Sequence, residues 1–204
     1  MTIHDIINNT KCPFARRTKY STIVINSLDL FTEIRNIRQE ISHFFTIDAK
    51  MKLDALVFIF TNHCFGNTID SLTMNTKMFF QALSKEFSGV VVPNEIIDYN
   101  AIYWPSIEGE RFFMVSFASC YSRESPRFNH GDLNTYFFLQ PVSSFERHAK
   151  DNNAVSHEMR IHIRKLFARN QQPYDGEISD LRNELVKMVS PLRLGDPIIK
   201  WWEY

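Results

Sequence analysis

Cysteine is scarce in this 204-residue chain: Cys12, Cys64 and Cys120 are three in number and far apart. Neither a disulfide framework nor a four-cysteine zinc site can be written with them, and a reduced cytoplasm is the simplest compartment. Glycine is sparse as well, six residues placed singly. No spacing among them fits a Walker loop or a dinucleotide fingerprint, which argues against those nucleotide enzymes. Excess charge is missing, since 23 Lys and Arg balance 23 Asp and Glu. A protein built to grip phosphate backbones usually carries a basic excess, so nucleic acid is not an expected partner. Long apolar runs are absent: the longest, Ala55 to Phe60, has six residues, against about 20 for a bilayer span. Met1 to Arg17 lacks an apolar core of signal-peptide length. The expectation is a soluble, cytoplasmic protein with no membrane partner.

Phenylalanine is what the chain has in abundance, 18 residues. They make either a thick aromatic core or an apolar pocket for something flat and greasy. The length suits one domain with a core large enough to stand without cross-links.

Tyr20 to Ile25 reads as a short β-branched strand. Ser27 is placed to cap a helix with Leu30, Ile34, Ile37, Ile41, Phe44 and Phe45 on one stripe. Ala55 to Phe60 is continuously apolar, as a strand covered on both faces would be. A helix over Ser71 to Phe87 follows, then a short strand Val90 to Val92. Ile102 to Ile107 and Arg111 to Phe117, joined by Glu108-Gly109-Glu110, read as a hairpin. A polar loop, Ser119 to Asn134, leads to a strand over Thr135 to Leu139. Ser143 with Glu146 suggests a capping box. Ser156 can cap a helix running to about Asn170, with Val155, Met159, Ile163, Leu166 and Phe167 inward. A last helix is expected over Ser179 to Val189. This pattern predicts an α/β (or α+β) single domain over 1–204. Its mixed β-sheet has antiparallel middle strands and is covered by helices.

Three groups of residues carry candidate chemistry. Asn62-His63-Cys64 follows the apolar strand, and ligands gather at the carboxyl ends of strands in open α/β sheets. His63 could bind iron or move a proton, while its neighbour Cys64 cannot pair with it as nucleophile and base. His157 and His162 are five helical steps apart, roughly 140° around the axis, so they do not form a zinc-protease pair. His162 alone lies at the edge of the apolar stripe, as a satisfied core residue or a metal ligand. In the loop Ser119 to His130, Arg123 and Arg127 could clamp a carboxylate. Cys64 or Cys120 leaves a thiol hydrolase open as a weaker reading.

In outline the chain resembles the YqcI/YcgG-like family of small bacterial proteins. The resemblance is carried in order by Cys12-Pro13-Phe14-Ala15, Leu56 to Phe60, and Tyr103-Trp104 with Glu108 to Phe113. It continues through Ala118 to Arg127, Phe138-Leu139-Gln140-Pro141 with Phe145, Met159-Arg160 with Ile163-Arg164, and Tyr174-Asp175, to Trp202-Glu203-Tyr204. It departs where the family tends to have His-Pro after the Tyr-Asp turn and this chain has Glu177-Ile178-Ser179. The resemblance implies a haem-dependent oxygenase (an oxidoreductase) in specialised metabolism that oxidises the nitrogen of an amino-acid or guanidino substrate. Haem b with its iron, O2 as co-substrate and an electron donor would follow. His63 or His162 is expected on the iron, with Arg123 and Arg127 on propionate or substrate carboxylates. No catalytic residue is assigned. The alternative is a non-catalytic protein binding haem or a small metabolite on the same fold. A homodimer is compatible with the sequence but not required by it.

Overall fold

A computed structural model describes residues 3–51, 53–96, 98–148 and 157–204. Its centre is a mixed five-stranded sheet with strand order β1-β2-β5-β4-β3. The strands are β1 (Tyr20–Ile25), β2 (Ala55–Phe60), β3 (Ser106–Ile107), β4 (Glu110–Phe117) and β5 (Thr135–Pro141). β1 and β2 are parallel; β2, β5, β4 and β3 pair antiparallel in turn. The chain is therefore the single α/β domain with antiparallel middle strands that its pattern predicts.

The helices are α1 (Ile3–Asn9), α2 (Leu30–Asn36), α3 (Arg38–Met51), α4 (Ile69–Glu86), α5 (Val142–His148), α6 (His157–Arg169) and α7 (Gly176–Asp180). β2 is apolar at every position because both its faces are covered. Leu56, Phe58 and Phe60 enter the main core, while Ala55 and Val57 meet Ile3, Ile6 and Ile7 of α1. Alternation along a strand sends neighbours to opposite faces, so only an unbroken apolar run suits this position.

The phenylalanines are mostly core. Phe137 of β5 lies edge-on to Phe60, Phe65 and Phe79, with ring centroids 4.9, 5.5 and 5.3 Å away. Phe60 and Phe65 stack at 3.8 Å. The C-terminal turn, Trp201–Glu203, closes the same core against α4: the Trp201 and Phe80 rings are 5.1 Å apart.

Several sequence expectations are corrected. Asp29, not Ser27, caps α2 by accepting the Thr32 N–H, and the helix breaks at Ile37 before α3 begins. α4 starts two residues early, because Thr68 and Ser71 form a reciprocal cap. Val90 to Val92 is not a strand, and the first arm of the hairpin is only Ser106–Ile107. Tyr103 is drawn off to pair with Asn183, and its hydroxyl bonds the backbone of Val91. The expected last helix is instead α7 followed by a 3-10 turn, Glu184–Lys187. Side chains of Asp175 and Asn183 cap the two pieces separately and so fix two starts. Ser143 lies inside α5 and gives its N–H to Glu110. The side chains of Phe145, Glu146 and His157, and residues Val155 and Ser156, lie outside the described residues. Among the described side chains of α6 only Phe167 is buried, and Met159 is exposed.

The two buried indoles make a paired test of a single hydrogen bond. Trp201 donates to the Leu185 carbonyl at 2.7 Å, whereas the Trp202 N–H has no partner among the described residues. Trp201→Phe and Trp202→Phe remove similar volume. Trp201→Phe is expected to cost about 1–2 kcal/mol more in urea unfolding, because it alone orphans a buried acceptor.

Candidate functional site

The polar loop after β4 is not a solvated surface loop. Ser125, Arg127, Asn129 and Asp132 are buried in it. Asn129 donates to the carbonyls of Asp132 and Asn134 at 2.6 and 3.1 Å, and Tyr136 donates to the Asp132 carboxylate at 2.8 Å. His130 and Gly131 both take positive φ, 61° and 85°, to let the chain close on itself. Asn129 and Asp132 are thus satisfied within the loop, as burial requires.

Arg127 ties this loop to the segment after α7. Its Nε donates to Ser190 Oγ at 3.2 Å, and its Nη2 to the Lys187 carbonyl at 3.4 Å. The residue is 7% exposed, and Nη1 has no hydrogen-bond partner among the described residues. Beside it, Tyr121 donates to the Ser190 carbonyl at 3.0 Å. Burial pushes the Tyr121 and Tyr174 hydroxyls up, and the positive charge of Arg127 works against that rise in both.

Arg127 stands in the wall of a cleft of about 650 Å³ between β4 and residues 173–194. Phe113, Val115, Pro126, Pro173, Tyr174, Ile178, Pro191, Leu192 and Leu194 give it an apolar lining. A second cleft of about 650 Å³ adjoins it, and the two share Phe113, Tyr174, Ser179, Glu184 and Lys187. Glu184 is buried on this shared wall and bonds Lys187 Nζ at 2.6 Å. Desolvation pushes its carboxyl above the ordinary range, against smaller downward pulls from Lys187, Arg160 and Arg127. An acid whose folded value is raised favours its neutral form. Its contribution to stability is full below the unfolded value and is lost as pH rises through the folded one. Glu184→Gln is therefore expected to gain on the wild type in urea unfolding at about pH 7, with the gain shrinking towards about pH 4.

The other expected ligands lie elsewhere. His63 and Cys64 are exposed on the 3-10 turn His63–Phe65, which the Asn62 side chain caps and which turns Phe65 into the core. The Asn62 cap and the packing of Phe65 shape the turn. His162 is exposed on α6, and Arg123 is exposed with its carbonyl accepting from Gln172 at 2.9 Å. Neither histidine, nor Arg123, lines either cleft. Of the two arginines expected to clamp a carboxylate, Arg127 stands in the first cleft and Arg123 in neither. A haem in either cleft would find no histidine in the wall, so the residues present do not fit a haem ligated by His63 or His162. Among the described residues no cluster of three or more His, Cys, Asp or Glu side chains suits a metal ion. Burial pushes the Cys120 thiol up to about 12 and also raises Cys12, so neither supplies a thiolate at neutral pH. No helix among the described residues is long and apolar enough to cross a membrane.

Glu184, Lys187, Tyr174 and Ser190 were not legible as site residues. Glu184 and Lys187 have the spacing of a helical ion pair, but nothing in sequence places them beside Arg127, some 60 positions earlier.

Together these observations define an α/β protein with two joined clefts on the side of β4, one apolar around a buried arginine and one rich in arginine. Comparison of the chain with models of protein families, with curated proteins and with solved structures found no match in any of the three.

Proposed function

We propose that this protein binds a small organic acid, its apolar body in the first cleft and its carboxylate on Arg127. The observation that supports this is the buried guanidinium whose Nη1 has no acceptor among the described residues, set in a mostly apolar wall. Leaving a buried charged donor unpaired costs about 1–3 kcal/mol or more. An arriving carboxylate offsets that cost through a charge-assisted bond, while Leu192, Pro191 and Ile178 take up the apolar remainder. This is the metabolite-binding reading of the sequence. The test changes the ligand rather than the protein: octanoate and octanamide are titrated by calorimetry. The acid is expected to bind at least about tenfold more tightly than the amide. Equal affinities, or no heat from either, would overturn the proposal.

The haem-dependent N-oxygenase implied by the family resemblance is the alternative proposal for the same cleft. The cleft's volume and apolar wall support it; the positions of His63 and His162 do not. Its test is added hemin. A Soret band displaced by octanoate supports it, and a preparation that stays colourless sinks it.

A further inference from the structure

The second cleft has a chemistry of its own. Its lining holds five cationic side chains, Arg111, Arg160, Arg164, Arg182 and Lys187, against two acids, Asp180 and Glu184. Both acids are already used: Arg164 is paired with Asp180 and Lys187 with Glu184. Arg111, Arg160 and Arg182 are exposed and have no carboxylate partner among the described residues. Three arginines with no ion-pair partner among the described residues therefore line one concavity in a chain whose net charge is zero, and only Arg160 among them feels the field of the buried Glu184. Like charges held together repel unless an anion joins them, and guanidinium forks match phosphate oxygens in pairs.

Trp104 lines the same cleft, half-buried, set edge-on to Phe113 with ring centroids 6.4 Å apart and planes at 83°. An indole fixed by its neighbour in this way is a platform for a flat aromatic ring.

We infer that the second cleft binds a nucleoside diphosphate or triphosphate, its phosphates on Arg111, Arg160 and Arg182 and its base against Trp104. Phosphate loops, absent from this chain, hold phosphates with backbone N–H groups; here side-chain forks hold them. The inference stands apart from the carboxylate cleft, because it makes no use of Arg127. An octanoate result in either direction leaves it untouched.

The test titrates the full chain with ADP and with pyrophosphate at low salt, following calorimetry and tryptophan emission. Trp201 and Trp202 are 0% and 1% exposed, so a ligand-induced change in emission reports chiefly on Trp104. ADP is expected to quench that emission saturably, with pyrophosphate competing and added salt weakening both. Arg160→Gln/Arg182→Gln should weaken both ligands at least about tenfold with the melting temperature unchanged. Trp104→Phe should weaken ADP while leaving pyrophosphate as it was. No saturable change with either probe at about 1 mM would overturn the inference, since that concentration already corresponds to very weak binding. So would equal binding by the double variant. ADP binding no more tightly than pyrophosphate would overturn the role of Trp104 and with it the nucleoside. If the double variant fails to fold, competition between the two probes on the unaltered protein decides the matter.

Discussion

Phe137→Ala is expected to cost about 3–5 kcal/mol in urea unfolding, a large share of the roughly 5–15 kcal/mol that holds a domain folded. Phe137 sits at the crossing of the sheet's central strand with α4, fully buried, its ring against Phe60, Phe65 and Phe79. Truncation removes the transfer free energy of the ring and leaves a cavity bounded by three other rings. β2 and β5 hold their backbones in register through Phe58 and Phe137, so the walls cannot close freely over the void. Phe137→Leu, which keeps most of the volume, should cost less than half as much. A small effect from Phe137→Ala would mean that this aromatic cluster is loosely packed and that the ring contacts are not what holds α4 on the sheet.

The second large effect is expected at Arg127. Arg127→Ala removes hydrogen bonds to Ser190 and Lys187 and the positive charge that offsets the buried Glu184. A hydrogen bond to a charged group is worth about 1.5–3 kcal/mol, so a loss of about 3 kcal/mol is expected in urea unfolding. Arg127→Lys keeps the charge but has no planar fork, and should recover only part of it. The two variants also separate the roles of the residue. If Arg127 only ties the loop to residues 184–190, octanoate binding will follow stability, and Arg127→Lys will retain most of both. If it also receives a carboxylate, Arg127→Lys will lose octanoate affinity out of proportion to its stability. Octanamide affinity will then stay as it was.

Much of the fold could be read from local chemistry. The unbroken apolar run of Ala55 to Phe60 announced a strand covered on both faces, and the β-branched Tyr20 to Ile25 a second strand, which the structure pairs with it in parallel. Boundaries were less legible where a polar side chain chose between adjacent starts, as Asp29 did over Ser27 and Asp175 and Asn183 did near the end. The loop Ser119 to His130 was recognised as dense in functional groups, but its two arginines could not be told apart. Burial separates Arg127 from Arg123, and burial here depends on residues 184–190, which no sequence spacing brings near. His63 and His162 illustrate the converse. Their neighbours suggested a buried site, yet the packing of Phe65 and Phe167 takes the inward direction and leaves both imidazoles outside.

The amino-acid order by itself determined β1, β2, β4 and β5 and the long helices α4 and α6. Those depend on periodicity and side-chain volume within a few residues. Only the tertiary structure decided that Arg127, Tyr174, Glu184 and Lys187 share one wall and that Arg111, Arg160 and Arg182 face one hollow. Such groupings arise from chain segments far apart in sequence, and their energetics come from desolvation, which no local pattern encodes.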